Sequence, residues 1–122
     1  DLTVKGKNIK DIIEYSYSHI EFEQGTLSLT IVDETLFTFW QGFNYTVDMN
    51  KEPYHRVEIE DLDSERMYRI TMTDYCYRNY KEYLEDAIIH ETYGETMGGL
   101  IRNNLKNTNY DVKVENNFKV NL

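Results

Sequence analysis

The chain has 122 residues, of which 22 are Asp or Glu and 13 are Lys or Arg, so its formal net charge is −9. A hydrophobic content of 40% and an aromatic content of 14% exclude an intrinsically disordered chain and predict one folded domain over residues 1–122. The acidity also argues against direct contact with nucleic acid or with an anionic membrane, because phosphate groups would be repelled.

The first twenty residues predict a strand followed by a helix. Leu2 and Val4 alternate with polar residues, which predicts a short strand that ends at Gly6. Apolar residues then recur at helical spacing and predict an amphipathic helix over residues 9–20, with Asn8 as its N-cap.

From residue 26 onward the apolar residues alternate with a period of two, which is typical of strands. The alternating segments lie at residues 27–31, 37–47, 55–59 and 68–72. A three-residue connection between the first two segments would place Ile31 opposite Phe37 and keep the apolar residues on one face. We expect these segments to form an antiparallel sheet in meander order.

The last third of the chain predicts two helices and a hairpin. The first helix covers residues 74–93 with Asp74 as its N-cap, and the second covers residues 95–107. The pair Gly98-Gly99 in the second helix predicts a bend, close helix packing or a close backbone approach, since each glycine costs about 1 kcal/mol in a helix. Alternation over residues 110–122 fits either one long strand or a hairpin that turns over residues 115–117, and we expect the hairpin because Asn-Asn tolerates positive φ. The expected fold class is therefore α+β: a four-stranded antiparallel meander with an N-terminal helix, two C-terminal helices and a terminal β-hairpin.

No pattern of residues predicts catalysis. His90-Glu91 resembles the beginning of a zinc-binding helix motif, but the second His would stand at position 94, which is Gly94. Cys76 has no histidine close in sequence to activate it as a nucleophile. We therefore expect no catalytic residue, no metal site and no cofactor, and a protein that is not an enzyme.

The densest local charge consists of five carboxylates within eight residues: Glu58, Glu60, Asp61, Asp63 and Glu65. Glu58 and Glu60 would share the outward face of a strand, about 6.6 Å apart, because the rise per strand residue is about 3.3 Å. That spacing is similar to the step between phosphates in a nucleic acid. The cluster predicts nucleic-acid mimicry and binding to the basic groove of a partner protein. The alternative is a solvated strand that protects a sheet edge.

A second set of residues is aromatic and basic. Its members are Arg56, Arg66, Tyr68, Arg69, Tyr75 and Arg78. Tyrosine rings can stack on a nucleobase, and the arginine fork can bind phosphate, so this set predicts a site for a nucleotide-like ligand.

The main functional hypothesis is a non-catalytic inhibitor or immunity-type protein of the anti-restriction, anti-CRISPR or antitoxin kind. It would block the basic site of a nucleic-acid-handling enzyme through the acidic cluster. One alternative is a binder that sequesters a nucleotide-like ligand through the Arg and Tyr set, as a homo-oligomer formed by the helix at 95–107. Another is an assembly module of a larger protein. The single cysteine, Cys76, favours the reducing cytoplasm. The sequence starts at Asp1 and not at Met, so a removed N-terminal leader stays an open alternative.

Overall fold

A computed structural model describes residues 1–23, 25–29, 37–92, 94, 97–107 and 116–122. Within these residues the chain forms eight short strands, three α-helices and one 3₁₀-helical turn, which confirms the predicted α+β class. In chain order they are β1 (Leu2–Lys5), α1 (Gly6–Ser18), β2 (Ile20–Glu23), β3 (Thr26–Leu29), β4 (Tyr45–Asp48), β5 (Val57–Ile59), β6 (Met67–Ile70), α2 (Asp74–Asn79), the 3₁₀ turn (Lys81–Tyr83), β7 (Ile88–Ile89), α3 (Met97–Asn107) and β8 (Phe118–Asn121).

The described strands form three small sheets, with the orders β6-β1-β7, β2-β3 and β5-β4-β8. β4 and β5 are antiparallel neighbours, as expected from the meander. β6, however, pairs with β1, so that Leu2 lies opposite Ile70 and Lys5 opposite Met67. The predicted four-stranded meander is therefore replaced by pairings between segments far apart in sequence, because alternation shows which face of a strand is apolar and not which strand it will pair with.

The helix α1 begins directly after β1, at Gly6, and not at the predicted cap Asn8. The backbone N–H groups of Gly6 and Lys7 donate to the carbonyl oxygens of Arg66 and Ser64, each at 2.9 Å. Loop carbonyls thus satisfy the first turn of the helix in place of a capping side chain.

The core lies between α1, the β1 sheet and the β4–β5 ladder. Its buried apolar residues are Leu2, Val4, Ile9, Ile12, Ile13, Tyr17, Tyr45, Val47, Val57, Ile59, Tyr80 and Leu84. Glu14 is also buried, and its carboxylate accepts hydrogen bonds from the backbone N–H groups of Arg56 (3.1 Å) and Val57 (2.8 Å). A buried charge of this kind is tolerated because both oxygens are hydrogen-bonded.

The predicted helix over residues 74–93 is wrong in its extent. α2 ends at Asn79, the 3₁₀ turn follows, and Ile88–Ile89 pair with β1 as the strand β7. The N-cap of α2 is Thr73 and not the predicted Asp74. The Thr73 hydroxyl accepts a hydrogen bond from the backbone N–H of Cys76 at 3.2 Å.

The remaining elements agree in part with the predictions. α3 lies where a helix was predicted, but among the described residues a Cβ added to Gly98 would meet no atom within 4 Å, so the predicted close approach is not found at Gly98. Of the predicted strand over residues 37–47, only the part from Tyr45 is a strand. β8 pairs with β4 in parallel. The pairing of Ile31 with Phe37 and the turn of the predicted terminal hairpin lie outside the described residues. Among the described helices, none has the length and apolar content to cross a membrane.

Candidate functional site

A cleft of about 880 Å³ opens beside the core. One wall is the irregular segment 37–44, and the opposite wall runs from the loop after β5 to β6 and α2. Ile9 and Ile12 of α1 form its floor. Small-molecule sites are typically clefts of roughly 300–1,000 Å³ with mainly apolar walls, so the size and lining of this cleft suit an organic ligand.

The first wall, which we call the aromatic wall, carries Phe37, Phe39, Trp40 and Phe43. The ring centroids of Phe37 and Phe39 are 5.1 Å apart, and those of Trp40 and Phe43 are 5.9 Å apart. Phe39 is 72% exposed although its ring is entirely apolar. The other three rings of the wall are half-buried, so Phe39 adds exposed apolar surface to a partly apolar cleft, as is typical of binding sites.

Two buried hydroxyls attach the aromatic wall to α1. Ser16 and Thr38 are hydrogen-bonded through their side chains at 3.1 Å, and the backbone N–H of Thr38 donates to Ser16 Oγ at the same distance. Trp40 Nε1 in turn donates to Thr38 Oγ1 at 2.9 Å. The indole therefore has a defined orientation at the rim of the cleft.

Asn117, immediately before β8, supports the same wall from its other side. Its side-chain nitrogen donates to the carbonyl oxygens of Trp40 (2.6 Å) and Phe43 (3.0 Å). Its side-chain oxygen accepts from Gln41 Nε2 at 3.0 Å, and its carbonyl oxygen accepts from the Tyr45 N–H at 3.0 Å. A segment without regular secondary structure is thus held by side-chain hydrogen bonds in place of ladder bonds.

The polar end of the cleft is formed where the β4–β5 ladder ends. Asn44 Nδ2 donates to Glu60 Oε2 at 2.8 Å, and the backbone N–H of Glu60 donates to the Asn44 carbonyl oxygen at 2.9 Å. Asp61 follows with a φ of 56° and also lines the cleft. This end therefore carries two carboxylates.

Tyr80 closes the inner end of the cleft from the side of α2. Burial raises the pKa of its hydroxyl to about 12, an effect that a hydrogen bond with Ser16 partly offsets. The hydroxyl is therefore neutral at physiological pH and already hydrogen-bonded with Ser16.

The structure separates the members of the predicted acidic cluster. Glu60 and Asp61 line the cleft, whereas Glu58 lies exposed on β5 outside it. Asp63 Oδ1 accepts from the backbone N–H of Glu65, and Glu65 forms an exposed ion pair with Lys5 at 3.4 Å. The cluster is thus divided between a loop and the cleft, and the partner-binding role of its members stays a prediction.

The predicted Arg and Tyr set is also divided. Arg56 donates to the carbonyl oxygens of Tyr17 (2.6 Å), Ile20 and Lys51, which satisfies the end of α1. The guanidinium of Arg66 lies 5.5 Å from the ring centroid of Tyr68.

Only two members of the set, Tyr68 and Arg69, line the cleft. The Tyr68 hydroxyl accepts from the backbone N–H of Asp63 at 2.9 Å, and Arg69 forms a two-pronged ion pair with Asp1. Arg78 is paired with Asp74 on α2, and Tyr75 is exposed on the same helix. Their role in ligand binding stays a prediction.

Sequence reasoning missed the aromatic wall and Asn117 as site residues. Alternation placed Phe37, Phe39 and Phe43 in one strand, where they would be core residues. The signal that could have indicated a site is Trp40, the single tryptophan of the chain. Because Trp40 is even-numbered, a strand would place it on the opposite face from the three phenylalanines, so the segment has more than one apolar face. Asn117 could not have been found, because its partners lie more than 70 residues away.

Among the described residues, no group of three or more His, Cys, Asp or Glu side chains lies close enough to hold a metal ion. His90 follows the strand β7 and contacts Thr3 through its ring Nε2, so it does not stand on a helix as the zinc-helix pattern requires. Cys76 is partly buried and lines the cleft.

Comparison with known proteins gives a family and a fold. The profile of the family "5'-nucleotidase, C-terminal domain" matches residues 1–85. Among solved structures, a Staphylococcus aureus protein assigned as a 5'-nucleotidase, in complex with alpha-ketoglutarate, matches with a TM-score of 0.81 and 21% identity. The match covers 99% of this chain and 26% of the solved one, so the chain spans about a quarter of that protein's length. No curated protein sequence matches significantly.

The family match contradicts the main functional hypothesis. A domain of nucleotidases is not an inhibitor, an immunity-type protein or a nucleic-acid mimic. The prediction of a non-enzymatic protein is wrong for the same reason, and so is the prediction of a basic, nucleic-acid-handling partner. The interpretation from net charge was wrong because the net charge is a property of the whole surface and does not show which residues line a cleft. The alternative of a nucleotide-like ligand agrees better with the family.

Proposed function

This chain belongs to the family of 5'-nucleotidase C-terminal domains, and from that membership we propose that it binds the nucleoside part of a nucleotide substrate in its aromatic cleft. The chemistry of phosphate release would then be performed by groups outside this chain. The chain spans 26% of the solved structure that it matches, which leaves ample room for a separate catalytic part in a protein of that length.

The observation that carries this proposal is the exposed aromatic wall. Phe39, 72% exposed, lines a cleft of about 880 Å³ together with Trp40 and Phe43, and its ring centroid lies 5.1 Å from that of Phe37. Every nucleobase has a flat π-face, and stacking on an aromatic side chain is worth about 1–3 kcal/mol per base. A base placed against this wall would cover apolar surface that is otherwise in contact with water.

The charges of the cleft favour a nucleoside over a phosphate group. Its charged lining residues within the described part of the chain are Glu60, Asp61 and Arg69, and Arg69 is paired with Asp1. Carboxylates repel phosphate but can accept hydrogen bonds from ribose hydroxyls or base amino groups. We therefore expect the phosphate to lie outside the cleft.

Binding the nucleoside at a distance from the reacting phosphate has a mechanistic purpose. Interactions with a remote part of the substrate supply binding energy that positions the reacting group and offsets the cost of its desolvation. A domain that holds the base and ribose would contribute to catalysis in this way without carrying a catalytic group itself.

The test uses the fluorescence of Trp40, the single tryptophan, which lines the cleft. The 122-residue chain is titrated with adenosine 5'-monophosphate, with excitation at the red edge of the indole band, where the nucleotide does not absorb. We expect a saturable change in emission. Phe39→Ala should weaken binding by roughly 5-fold to 150-fold, which corresponds to the loss of one stacking contact.

The matched control is Ile88→Ala, since Ile88 is 55% exposed on β7 and does not line the cleft. This variant should bind as the unmodified chain does. An unmodified chain that gives neither a saturable fluorescence change nor a binding heat in calorimetry would overturn the proposal.

A further inference from the structure

The polar end of the cleft is built from two side chains that fix each other. Asn44 and Glu60 stand opposite one another one residue beyond the β4–β5 ladder, in which Tyr45 pairs with Ile59. The side-chain bond from Asn44 Nδ2 to Glu60 Oε2 (2.8 Å) is backed by the backbone bond from the Glu60 N–H to the Asn44 carbonyl oxygen (2.9 Å). The carboxylate therefore has a defined position although it is exposed.

This arrangement places hydrogen-bond acceptors at the polar end of the cleft. An ionised carboxylate can only accept, and within the described part of the chain the donor that Glu60 engages through its side chain is Asn44. The Asn44 side-chain amide donates an N–H to Glu60, and its oxygen can accept a hydrogen bond. Asp61, next in the chain, adds a second carboxylate to the same end of the cleft. The end is thus rich in acceptors.

The acceptor-rich end adjoins the stacking surface. Asn44 directly follows Phe43, and the Trp40 and Phe43 rings lie at 33° to one another with centroids 5.9 Å apart. A base stacked on these rings presents its edge, and not its face, to neighbouring side chains. The edge groups are then the ones that meet Glu60.

We propose, on the basis of the proposed function, that Glu60 and Asn44 select nucleosides whose base carries an exocyclic amino group. The Glu60 carboxylate accepts a hydrogen bond from that amino group. A base with hydrogen in its place leaves the carboxylate unpaired, and a base with a carbonyl there brings two acceptors together. Both cases lose a charge-assisted hydrogen bond.

The experiment compares three nucleosides that share one stacking surface and one sugar. Adenosine carries the amino group, purine riboside has hydrogen in its place, and inosine has a carbonyl. We expect adenosine to bind roughly tenfold to 150-fold more tightly than purine riboside, as the loss of a hydrogen bond to a charged group implies. Binding is followed by Trp40 emission and by calorimetry.

Glu60→Gln removes the negative charge while keeping the size of the side chain, and it should reduce the preference for adenosine to a few-fold. Glu58→Gln is the matched control, since Glu58 lies two residues earlier, on β5, is exposed and does not line the cleft. It should leave the preference unchanged.

The outcomes separate the two proposals. If adenosine and purine riboside bind equally well, the selectivity proposal is wrong while the nucleoside site stands. If none of the three binds, the proposed function itself fails. A fourth ligand, 2'-deoxyadenosine, tests whether the carboxylate contacts the ribose: a large loss with that ligand and no preference for the amino group would overturn the assignment of Glu60 to the base.

Discussion

Asn117 and Trp40 are joined by a hydrogen bond of 2.6 Å from the Asn117 side-chain nitrogen to the Trp40 carbonyl oxygen, although 77 residues separate them. The same nitrogen also donates to Phe43 at 3.0 Å. Asn117 lies beyond residue 85, where the family match ends. The conformation of the aromatic wall therefore depends on the C-terminal end of this chain.

Replacing Asn117 with Ala should lower the free energy of unfolding by about 1–3 kcal/mol, because partly buried carbonyl groups lose their donor. It should also weaken nucleoside binding and shift the emission of Trp40. Asn117→Asp, which lacks the donors but keeps the shape, should behave similarly. The neighbouring exposed Asn116→Ala is the control, and equal behaviour of the two alanine variants would contradict the assignment.

Replacing Gly6 in α1 and Gly98 in α3 with Ala should change the free energy of unfolding in opposite directions. A Cβ on Gly6 would overlap the backbone carbonyl oxygen of Asp63, and that loop is tied to α1 by backbone hydrogen bonds. We expect Gly6→Ala to destabilise the fold by about 1–3 kcal/mol. A Cβ on Gly98 meets nothing, so Gly98→Ala should stabilise by up to about 1 kcal/mol. Urea unfolding of both variants measures the difference, and equal midpoints would refute the predicted overlap.

Glu14 couples α1 to the start of β5. Both of its carboxylate oxygens accept a backbone N–H, and the side chain is buried. Glu14→Gln places an amide NH₂ against one of these N–H groups, so we predict a loss of about 1–3 kcal/mol in unfolding free energy. The same substitution at the exposed Glu85 should have no measurable effect. A Glu14→Gln variant as stable as that control would show that the two backbone bonds contribute little.

The buried tyrosines predict a loss of stability at alkaline pH. Burial raises the pKa of Tyr80 to about 12 and raises that of Tyr17 as well. In the unfolded chain a tyrosine ionises near pH 10, so the stabilisation is complete below about pH 10 and is lost as the pH rises toward the folded-state pKa.

Tyr80→Phe removes one of these groups. Denaturation between pH 9 and 12 should then show a smaller loss of stability than in the unmodified chain, whereas the exposed Tyr75→Phe should follow the unmodified chain. An unchanged alkaline slope in Tyr80→Phe would mean that its hydroxyl is not desolvated.

Much of the local structure could be predicted from the spacing of apolar residues. The spacing marks the buried face of α1, the strands at Leu2 and Val57, and the position of α3, because each of these elements buries a face with its own period. The helix from residue 74 is wrong because a two-residue strand, Ile88–Ile89, is too short to give a period. Its pairing with β1 is a tertiary effect.

The predicted site residues are only partly brought together by the fold, and their role in binding stays a prediction. Tyr68 and Arg69 were expected near a nucleotide-like ligand and do line the cleft, but Arg56 instead binds carbonyl groups at the end of α1. Glu60 was expected on the outward face of a strand, as part of a protein interface. Its place opposite Asn44, beside the aromatic wall, depends on where the β4–β5 ladder ends.

The amino-acid sequence by itself determined the α+β class, the acidic charge and the apolar faces of the main elements, since these depend on composition and on periods of two and 3.6 residues. Only the tertiary structure decided which strands pair, where the aromatic wall stands and what supports it. The alternation of apolar residues shows which face of a strand is apolar, but not which other strand its backbone groups will pair with. The contact of Asn117 with Trp40 is of this second kind, because no local pattern connects residues that far apart.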